Sequence, residues 1–558
     1  MKKHLLIALF VASIVATAQA AVYHVAQETK SANDESSGDF EHPLKTISKA
    51  AELVKAGDVI IVHSGIYRER VAIKASGTAQ QPIRIESAEA EHVILTGADR
   101  IANWTRIEGA NAIYRADWPH RFITWNVGMA HPNDAYHQII GRCEQVIVNG
   151  YLLRQVLSSN LLSPGSFFAD VTNRTLLVWD STNDDLNKQH VEASTRQEIL
   201  RVEADHVQVR GLNFRYAANM AQHGAVILAG RFDTLEDCVL ESMNSSGASF
   251  QGEDAVIRRC TFRDNGQLGF GASRAHRLLF TECSVENNNT KNFDRGWEAG
   301  GNKLVLCRDA ILEQSQFVRN RGNGIWFDIG NTNCTVRQCL IADNEDAGVF
   351  YEISFALHAH DNVIVRNGFA TTRGAWGAQA GISLSSSPGC VIQRNIIAAN
   401  REGFNFHEQT RETPWIEDRK SHPIWNHDEL IRNNIIAFNR DAQIWGWFDV
   451  KDNRHWPSSA ESKELTLEKL NLKFERNIYF ALPNQGWFKW GPTWSRHEMY
   501  SSLTSFQEKL RIDAKSEAAN PGFADLHKLD LRVLKPSDAV RSSYPRGRIS
   551  GAMTGFNE

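Results

Sequence analysis

Two short segments of the chain carry an acid at the same place after an apolar run. GIWFDIG begins at Gly324 and contains Asp328, and GVFYEIS begins at Gly348 and contains Glu352. All other positions before the acid have the small, apolar or aromatic character of a buried strand. Acids held in apolar surroundings have perturbed protonation and are candidates for nucleophilic or acid–base chemistry.

Both segments belong to a repeat with a period of about 23 residues, which begins near residue 206. The register is set by short motifs centred on Cys238, Cys260, Cys283, Ser315, Cys339, Asn362, Asn395 and Asn434. Where two successive motif centres are further apart than one period, the chain contains one repeat plus a loop. The repeats contain short β-branched runs of alternating polarity with DN and NG turns between them, and they lack a leucine-rich pattern. The sequence therefore predicts an all-β fold, a right-handed parallel β-helix of the pectate-lyase-like type.

The eight cysteines do not predict a disulfide framework. Half of them occupy the repeating motif position, where neighbours in successive coils are expected to stack as packing partners. The other four, Cys143, Cys307, Cys334 and Cys390, lie outside that column, and the sequence predicts no pairing for them.

The repeat register defines one line of residues along the solenoid, because equivalent positions of successive coils stack. Thirteen residues after the motif centre, or close to that where a loop intervenes, lie Gln251, Ser273, Asp328, Glu352, Ser385 and His407. The coil between Ser273 and Asp328 contains a loop, and the candidates for its member are Glu298 and Lys303. Asp328 and Glu352 fall on adjacent coils.

Adjacent coils are separated by the spacing of neighbouring strands, about 4.8 Å. The carboxyls of Asp328 and Glu352 are therefore expected roughly 5 Å apart, where two negative charges repel and one group tends to stay protonated. Retaining glycosidases hold their two carboxyls roughly 5 to 5.5 Å apart, whereas inverting enzymes need roughly 6.5 to 9.5 Å. The spacing therefore favours a retaining glycosidase, with the plain alternative that both acids are solvated turn residues.

Aromatic residues flank this line, as expected of a site that packs against the C–H faces of sugar rings. The predicted substrate-binding residues are Glu298, Trp297, Lys303, Trp326, Trp376, Ser385 and His407. Alternatives remain open: Glu298 and Lys303 as a surface ion pair, His407 as a turn-bonded stacking residue, and any single aromatic as core. Insertions before Ser385 and after His407 are expected to wall the groove into a pocket, which favours exo action.

The chain divides into four predicted parts. Residues 1–20 have two lysines, an apolar run and a small-residue cleavage site, which indicates an export signal and a periplasmic or secreted protein with no membrane anchor after cleavage. Residues 21–96 form a helical cap and the first coils. Residues 97–199 break the period and predict an inserted small β-sandwich or jelly-roll domain. Residues 200–558 form the main β-helix, with NPGFAD and LDLRVLKPSDAV as its closing coil.

The bulk charge favours no polyanionic partner. The net charge is −4 and the pI about 6.6, which gives no electrostatic case for nucleic acid. The expected partner is an oligosaccharide or polysaccharide substrate, and no cofactor or metal is predicted.

The motif NRGNGIWFDIGNTN followed by NEDAGVFYEIS resembles the parallel β-helix β-xylosidases of glycoside hydrolase family 120. The resemblance extends from about residue 36 to 450, and it includes the insertion around VIVNGYLLRQV. It implies Asp328 as nucleophile, Glu352 as acid/base and Glu298 as a substrate-binding acid. It also implies a β-helix with a jelly-roll-like insertion and β-xylosidase-like activity.

Two other functions remain as alternatives. A polysaccharide lyase needs a basic residue to abstract a proton next to a uronate, and Lys303 or Arg274 are the candidates. A non-catalytic carbohydrate-binding β-helix needs the aromatic residues but no close pair of acids. An acid pair next to a uronate repels it, which weighs against the lyase.

Overall fold

Three long β-sheets, here called A, B and C, form the body of the molecule; their strands are parallel except the last strand of sheet C, which pairs antiparallel. The computed structural model describes residues 20–109, 112–125, 137–182, 184–370, 379–408, 411–448, 470–492 and 498–557. The predicted export signal lies outside these ranges except for its last residue. Within them, no helix is long and apolar enough to cross a membrane.

Each sheet contains 13 strands. Sheet A consists of Val22–Val25, Val59–Val62, Ile83–Ser87, Val207–Arg210, Thr234–Glu236, Val256–Arg258, Leu279–Thr281, Ile311–Glu313, Thr335–Arg337, His358–His360, Val391–Gln393, Leu430–Arg432 and Lys473–Glu475. Sheet B consists of Gly65–Tyr67, Val93–Thr96, Asn213–Arg215, Val239–Glu241, Thr261–Arg263, Ser284–Glu286, Gln316–Val318, Leu340–Ala342, Val363–Val365, Ile396–Ala398, Ile435–Ala437, Ile478–Phe480 and Glu517–Ala518. Sheet C consists of Val71–Ile73, Leu200–Val202, Gly224–Leu228, Ser246–Phe250, Leu268–Ser273, Gly300–Val305, Ile325–Asp328, Val349–Glu352, Ala380–Ser385, Glu402–Glu408, Ala442–Phe448, Phe488–Pro492 and Glu498–Tyr500.

The chain visits the three sheets in turn, so one coil supplies one strand to each sheet. Strands of successive coils pair in parallel, as when Leu235 of sheet A pairs with Ile257. Inward side chains stack into a continuous core, in which the rings of Phe270 and Phe280 lie 4.6 Å apart. The predicted parallel β-helix is confirmed.

The repeating motif position is an interior column, as the sequence predicted. The side-chain amide of Asn362 donates to Asn395 (2.9 Å), Asn395 to Asn434 (3.0 Å) and Asn434 to Asn477 (3.1 Å). All eight cysteines are buried and free, including the four outside the column. A stacked amide in each coil satisfies backbone groups at the bend and fixes the register of the coils.

A second asparagine column was not recognised in the sequence. It runs through Asn265, Asn288, Asn320, Asn344, Asn367, Asn400 and Asn439, each amide donating to the next. The DN and NG pattern predicts turns at these residues, and they do lie at the bend between sheets B and C. Their side chains point inward because the bend leaves buried carbonyl groups that need donors.

The N-terminal end of the core is covered by the predicted helix, Ile47–Leu53. Thr46 caps it by accepting a hydrogen bond from the backbone N–H of Lys49, and Ile47, Ala50 and Ala51 are buried. These residues join the apolar core of the β-helix. The helix therefore shields the end of the stack, whose exposed edge would otherwise be open to strand pairing.

Two small sheets lie between the first and second parts of the β-helix. One contains Ala98–Arg100, Val146–Val148, Tyr151–Leu152 and Val191–Ser194, and the other contains Thr105–Arg106, Ile113–Asp117, Arg154–Val156, Ser166–Asp170 and Thr175–Trp179. Short helices span His137–Ile140, Ser159–Leu161 and Leu186–Lys188. The sheets share an apolar core containing Trp118 and Phe167. The insertion contacts the β-helix through Lys291, whose ammonium donates to Gln155 at 3.0 Å.

The prediction for the C-terminal segment was wrong. The segments NPGFAD and LDLRVLKPSDAV form no closing coil. A separate sheet consists of Phe523–Asp525, Asp530–Leu534 and Phe556–Asn557, and the helix Asp538–Ser543 lies between its second and third strands in the chain. This tail packs along the outer face of sheet B, where Val363, Ile396 and Ile435 form an apolar strip that needs cover. The helix Leu503–Leu510 covers the end of the core instead, with Phe506 stacked on Phe488 at 4.4 Å.

Candidate active site

Strand alternation places both acids on the outward face of sheet C. Phe327 pairs with Tyr351, and the next residues in each strand are Asp328 and Glu352. The rings of Phe327 and Tyr351 point into the core, 5.2 Å apart. Because successive residues of a strand point to opposite faces, the acids that follow these two residues point outward. The acids therefore lie on adjacent coils, about 4.8 Å apart along the axis, as the repeat predicted.

The outward face is covered at this point, so the acids are buried. Asp328 is 7% exposed and Glu352 is 5% exposed. A hairpin of strands Arg411–Pro414 and Ser421–Ile424 follows the strand that contains His407 and folds back beside the acids. Its Pro414 carbonyl approaches Gly330, where an added Cβ would meet the oxygen at 2.3 Å. The hairpin thus reaches the coil of Asp328 only because Gly330 has no side chain.

Asp328 has one oxygen bound to a cation and one oxygen without a partner. Its Oδ2 lies 2.9 Å from the ammonium of Lys303, which also contacts Glu298 at 3.0 Å. Its Oδ1 is buried and accepts no hydrogen bond from the described residues. A carboxylate with one oxygen in an ion pair and the other without a hydrogen bond is suited to nucleophilic attack.

Glu352 has both oxygens engaged. Oε1 accepts from the guanidinium of Arg411 at 2.8 Å, and Oε2 accepts from the indole N–H of Trp326 at 3.3 Å. Burial raises the pKa of Glu352 above its ordinary value, and the charge of Asp328 raises it further. Arg411 and Lys303 lower the pKa without reversing that direction. A neutral carboxyl group near neutral pH is what a general acid requires.

Lys303 is the counter-charge of this site. Its ammonium lies 4.3 Å above the ring of Trp326, which adds a cation–π contact to its two ion pairs. Burial alone lowers the pKa of Lys303, but the charges of Asp328 and Glu298 outweigh burial and leave the pKa raised. Lys303 is therefore a stable cation rather than a base.

The structure corrects one position of the predicted line. Ser273 pairs with Val305 and Val305 pairs with Asp328, so Val305 is the member that the loop had concealed. Lys303 lies two residues earlier on the same outward face, and Glu298 lies in the turn before that strand. Strand alternation places Lys303 on the same face as Val305, so its side chain can reach Asp328 on the next coil. Glu298 joins the site through its contact with Lys303.

The remaining predicted substrate-binding residues are Ser385, His407, Trp297 and Trp376. Ser385 pairs with Glu352 and His407 pairs with Ser385, so both continue the predicted line, fully buried. Trp297 precedes Glu298, and its ring meets that of Trp125 edge to face at 5.7 Å between the β-helix and the insertion. Trp376 lies outside the described residues.

Arg411 is the residue of the site that the sequence did not reveal. It belongs to the hairpin after His407, and its position relative to Glu352 is set by how the hairpin docks. Because Arg411 lies in an insertion that interrupts the repeat, no periodicity in the sequence connects Arg411 with the acids. An arginine inside an insertion predicted to wall the site was the only available signal.

The described ranges contain no group of three or more His, Cys, Asp or Glu side chains placed to hold a metal ion. The described site contains the carboxyls of Asp328, Glu352 and Glu298, the cations Lys303 and Arg411, and the indole N–H of Trp326.

Comparison with known proteins gives three findings. Residues 224–378 match the family described as "Right handed beta helix region". A curated relative, the uncharacterized protein YwoF of Bacillus subtilis (strain 168), is 34% identical over 71 residues, and the match spans 13% of this chain and 15% of that protein.

Among solved structures, "The complex structure of XylC with xylose" is similar with a TM-score of 0.68 and 19% identity, covering 90% of this chain and 87% of that chain. A structure described as "Glycoside hydrolase" is similar with a TM-score of 0.44 and 12% identity, covering 89% and 99%. The XylC likeness agrees with the fold that the resemblance to glycoside hydrolase family 120 implies. Together with the matched region, it shows that this chain has the right-handed parallel β-helix fold.

Proposed function

We propose that the protein is a retaining glycoside hydrolase that removes single sugars from plant or microbial oligosaccharides, with β-xylosidase-like activity. The observation that carries this proposal is the pair of buried acids on adjacent coils, Asp328 next to a cation and Glu352 with a raised pKa. Two carboxyls in neighbouring coils suit the short separation that retention requires.

In the first step, Oδ1 of Asp328 attacks the anomeric carbon and forms an ester bond to the sugar. The bond from that carbon to the leaving oxygen breaks, and the proton of Glu352 passes to the leaving oxygen. Lys303 stays on Oδ2, where it holds the carboxylate in orientation. Glu352 ends this step as a carboxylate, which Arg411 stabilises at 2.8 Å.

In the second step, Glu352 takes a proton from water as the water oxygen attacks the same carbon. The ester bond breaks and Asp328 is released as a carboxylate. Two displacements at one carbon return the original configuration. Arg411 therefore has opposite effects in the two steps: it weakens Glu352 as the acid and stabilises the anion that acts as the base.

Sugar binding is assigned to the polar and aromatic side chains around the acids. Glu298 is 27% exposed in its side chain and is held by Lys303, which leaves a carboxylate oxygen to accept from a sugar hydroxyl. Trp326 offers a ring beside Glu352, and Ser385 continues the line on the next coil. Trp297, Trp376 and His407 are proposed as further substrate-binding residues on the basis of the sequence alone.

Exo action and export complete the proposal. The burial of both acids beneath a hairpin suits a pocket that holds one end of a short chain, rather than an open cleft. The signal-like residues 1–20 support a periplasmic or secreted location.

A polysaccharide lyase has less support. A lyase base must be uncharged to take a proton, whereas Lys303 contacts two carboxylates and has a raised pKa. A non-catalytic binding protein has no use for two mutually repelling buried acids, which cost stability.

A panel of aryl glycosides, beginning with β-xylosides, tests the proposal. Proton NMR of the product formed first should show the anomer of the substrate's own configuration. Release of the inverted anomer would exclude a retaining mechanism. Absorbance near 235 nm from an acidic polysaccharide, without aryl glycoside cleavage, would establish a lyase instead.

A further inference from the structure

A small cavity lies beside the acids, between the β-helix and the hairpin that carries Arg411. Its volume is about 220 Å³. It is lined by Arg274, His276, Leu306, Pro414, Trp415, Ile416 and Arg419. Sites for drug-sized ligands occupy roughly 300 to 1,000 Å³, so this cavity suits a single ring.

The register of sheet C places the cavity close to Asp328. Arg274 directly follows Ser273, and Leu306 directly follows Val305, while Ser273, Val305 and Asp328 are paired in that order. The cavity wall therefore lies one to two coils from Asp328, roughly 5 to 10 Å along the axis. It is on the side of Asp328 that faces away from Glu352.

The cavity carries uncompensated positive charge. The guanidinium groups of Arg274 and Arg419 form no ion pair or side-chain hydrogen bond with any described residue, and no carboxylate lines the cavity. The nearest acids on the hairpin are committed elsewhere, Glu417 to Arg308 and Asp418 to His422. Two free guanidinium groups in one concave site attract an anion and match a carboxylate in geometry.

Trp415 supplies an apolar surface in the same cavity. Its ring stacks on His422 with centroids 4.1 Å apart and meets Phe355 edge to face at 6.1 Å. It is nevertheless 41% exposed. A fixed, exposed indole in a cavity that two arginines also line offers the surface on which a sugar ring packs its C–H face.

We propose that this cavity binds one sugar unit bearing a carboxylate, so that the substrate is an acidic oligosaccharide that carries a uronate at a distance from the cleaved bond. This rests on the proposed glycosidase function. The ring would lie on Trp415 and its carboxylate between Arg274 and Arg419. The uronate would lie one to two coils from Asp328 and two to three coils from Glu352. This distance limits its repulsion by the two acids, since charge repulsion falls with distance.

Binding is measured with the full-length protein by titration calorimetry at low salt, using methyl glucuronide and methyl glucoside. We expect the glucuronide to bind at least tenfold more tightly, and the preference to disappear in the double variant Arg274→Gln, Arg419→Gln. The control Lys420→Gln removes a neighbouring exposed charge outside the cavity and should keep the preference. Both arginines are exposed, and a thermal melt checks that the variants fold.

A second measurement compares kcat/KM for a uronate-bearing oligosaccharide with kcat/KM for the neutral oligosaccharide of equal length. The ratio should fall at least tenfold in the double variant and stay unchanged in Lys420→Gln. Equal binding of the two glycosides, or a preference that survives the loss of both arginines, would overturn the inference. Failure of aryl glycoside hydrolysis would instead refute the glycosidase function and leave the binding result standing.

Discussion

Gly330 lets the hairpin pack against the candidate active site, and replacing it with alanine tests how Arg411 acts. The residue has φ of +67°, and an added Cβ would lie 2.3 Å from the Pro414 carbonyl oxygen, where ordinary contacts begin near 3.4 Å. The hairpin must therefore retreat by about 1 Å. Arg411 precedes Pro414 on the same strand, so its 2.8 Å contact with Glu352 is expected to open beyond the roughly 3.5 Å reach of a hydrogen bond.

The expected result is a shift of the pH–rate profile. Arg411 lowers the pKa of Glu352, so losing the contact raises that pKa and moves the basic limb of kcat/KM to higher pH. The unfolding free energy should fall by about 1 to 2 kcal/mol from the left-handed backbone alone, and further from the displaced hairpin. The assay is kcat/KM against pH with an aryl glycoside whose leaving group needs protonation.

Two controls separate the effects. Gly150→Ala carries the same backbone strain at φ of +85° but meets nothing within 4 Å, so it should lose stability without moving the profile. Arg411→Met should move the basic limb in the same direction by itself. Two results would contradict this explanation. One is a Gly330→Ala variant whose basic limb does not move; the other is a double variant Gly330→Ala, Arg411→Met whose basic limb moves further than that of Arg411→Met alone.

Three further variants test the site and the fold. Asp328→Asn should preserve the fold and lower the rate by several orders of magnitude, because the covalent step is lost; near-normal turnover would exclude Asp328 as the nucleophile. Glu352→Ala should cleave substrates with very good leaving groups and yield, with added azide, a glycosyl azide of retained configuration; an inverted azide would contradict the mechanism. Asp346 is fully buried, and burial raises its pKa to about 7, so the folded state keeps a proton that the unfolded state releases above about pH 4. Stability should therefore fall by about 3 kcal/mol between pH 4 and 7, and a denaturation series for Asp346→Asn should show a flatter dependence; an unchanged slope would show that Asp346 is not the titrating group.

The coil register was accessible from the sequence because it is a local property. A period of about 23 residues, with strand alternation inside each repeat, determines which side chains point outward and which coils are neighbours. Asp328 and Glu352 could therefore be placed on adjacent coils without a structure. The inward column through Asn362 and Asn395 followed from the same count.

The sequence alone failed wherever a loop interrupts the repeat. Val305 was missed because the loop before its strand hides the count, and Lys303 and Glu298 were candidates for its place. The sequence predicts a further coil at the C-terminal segment, because its strands are locally like those of the repeat. Its packing on sheet B follows from an apolar strip assembled from many coils.

The sequence by itself determined the β-helix, the cap and the stacked pair of acids. Only the tertiary structure decided what surrounds that pair: Arg411 on Glu352, and the cavity under Trp415. The physical reason is that a repeat encodes its own neighbours through strand pairing between successive coils. An inserted hairpin has no such register, and its place depends on tertiary contacts such as the close approach of the Pro414 carbonyl to Gly330.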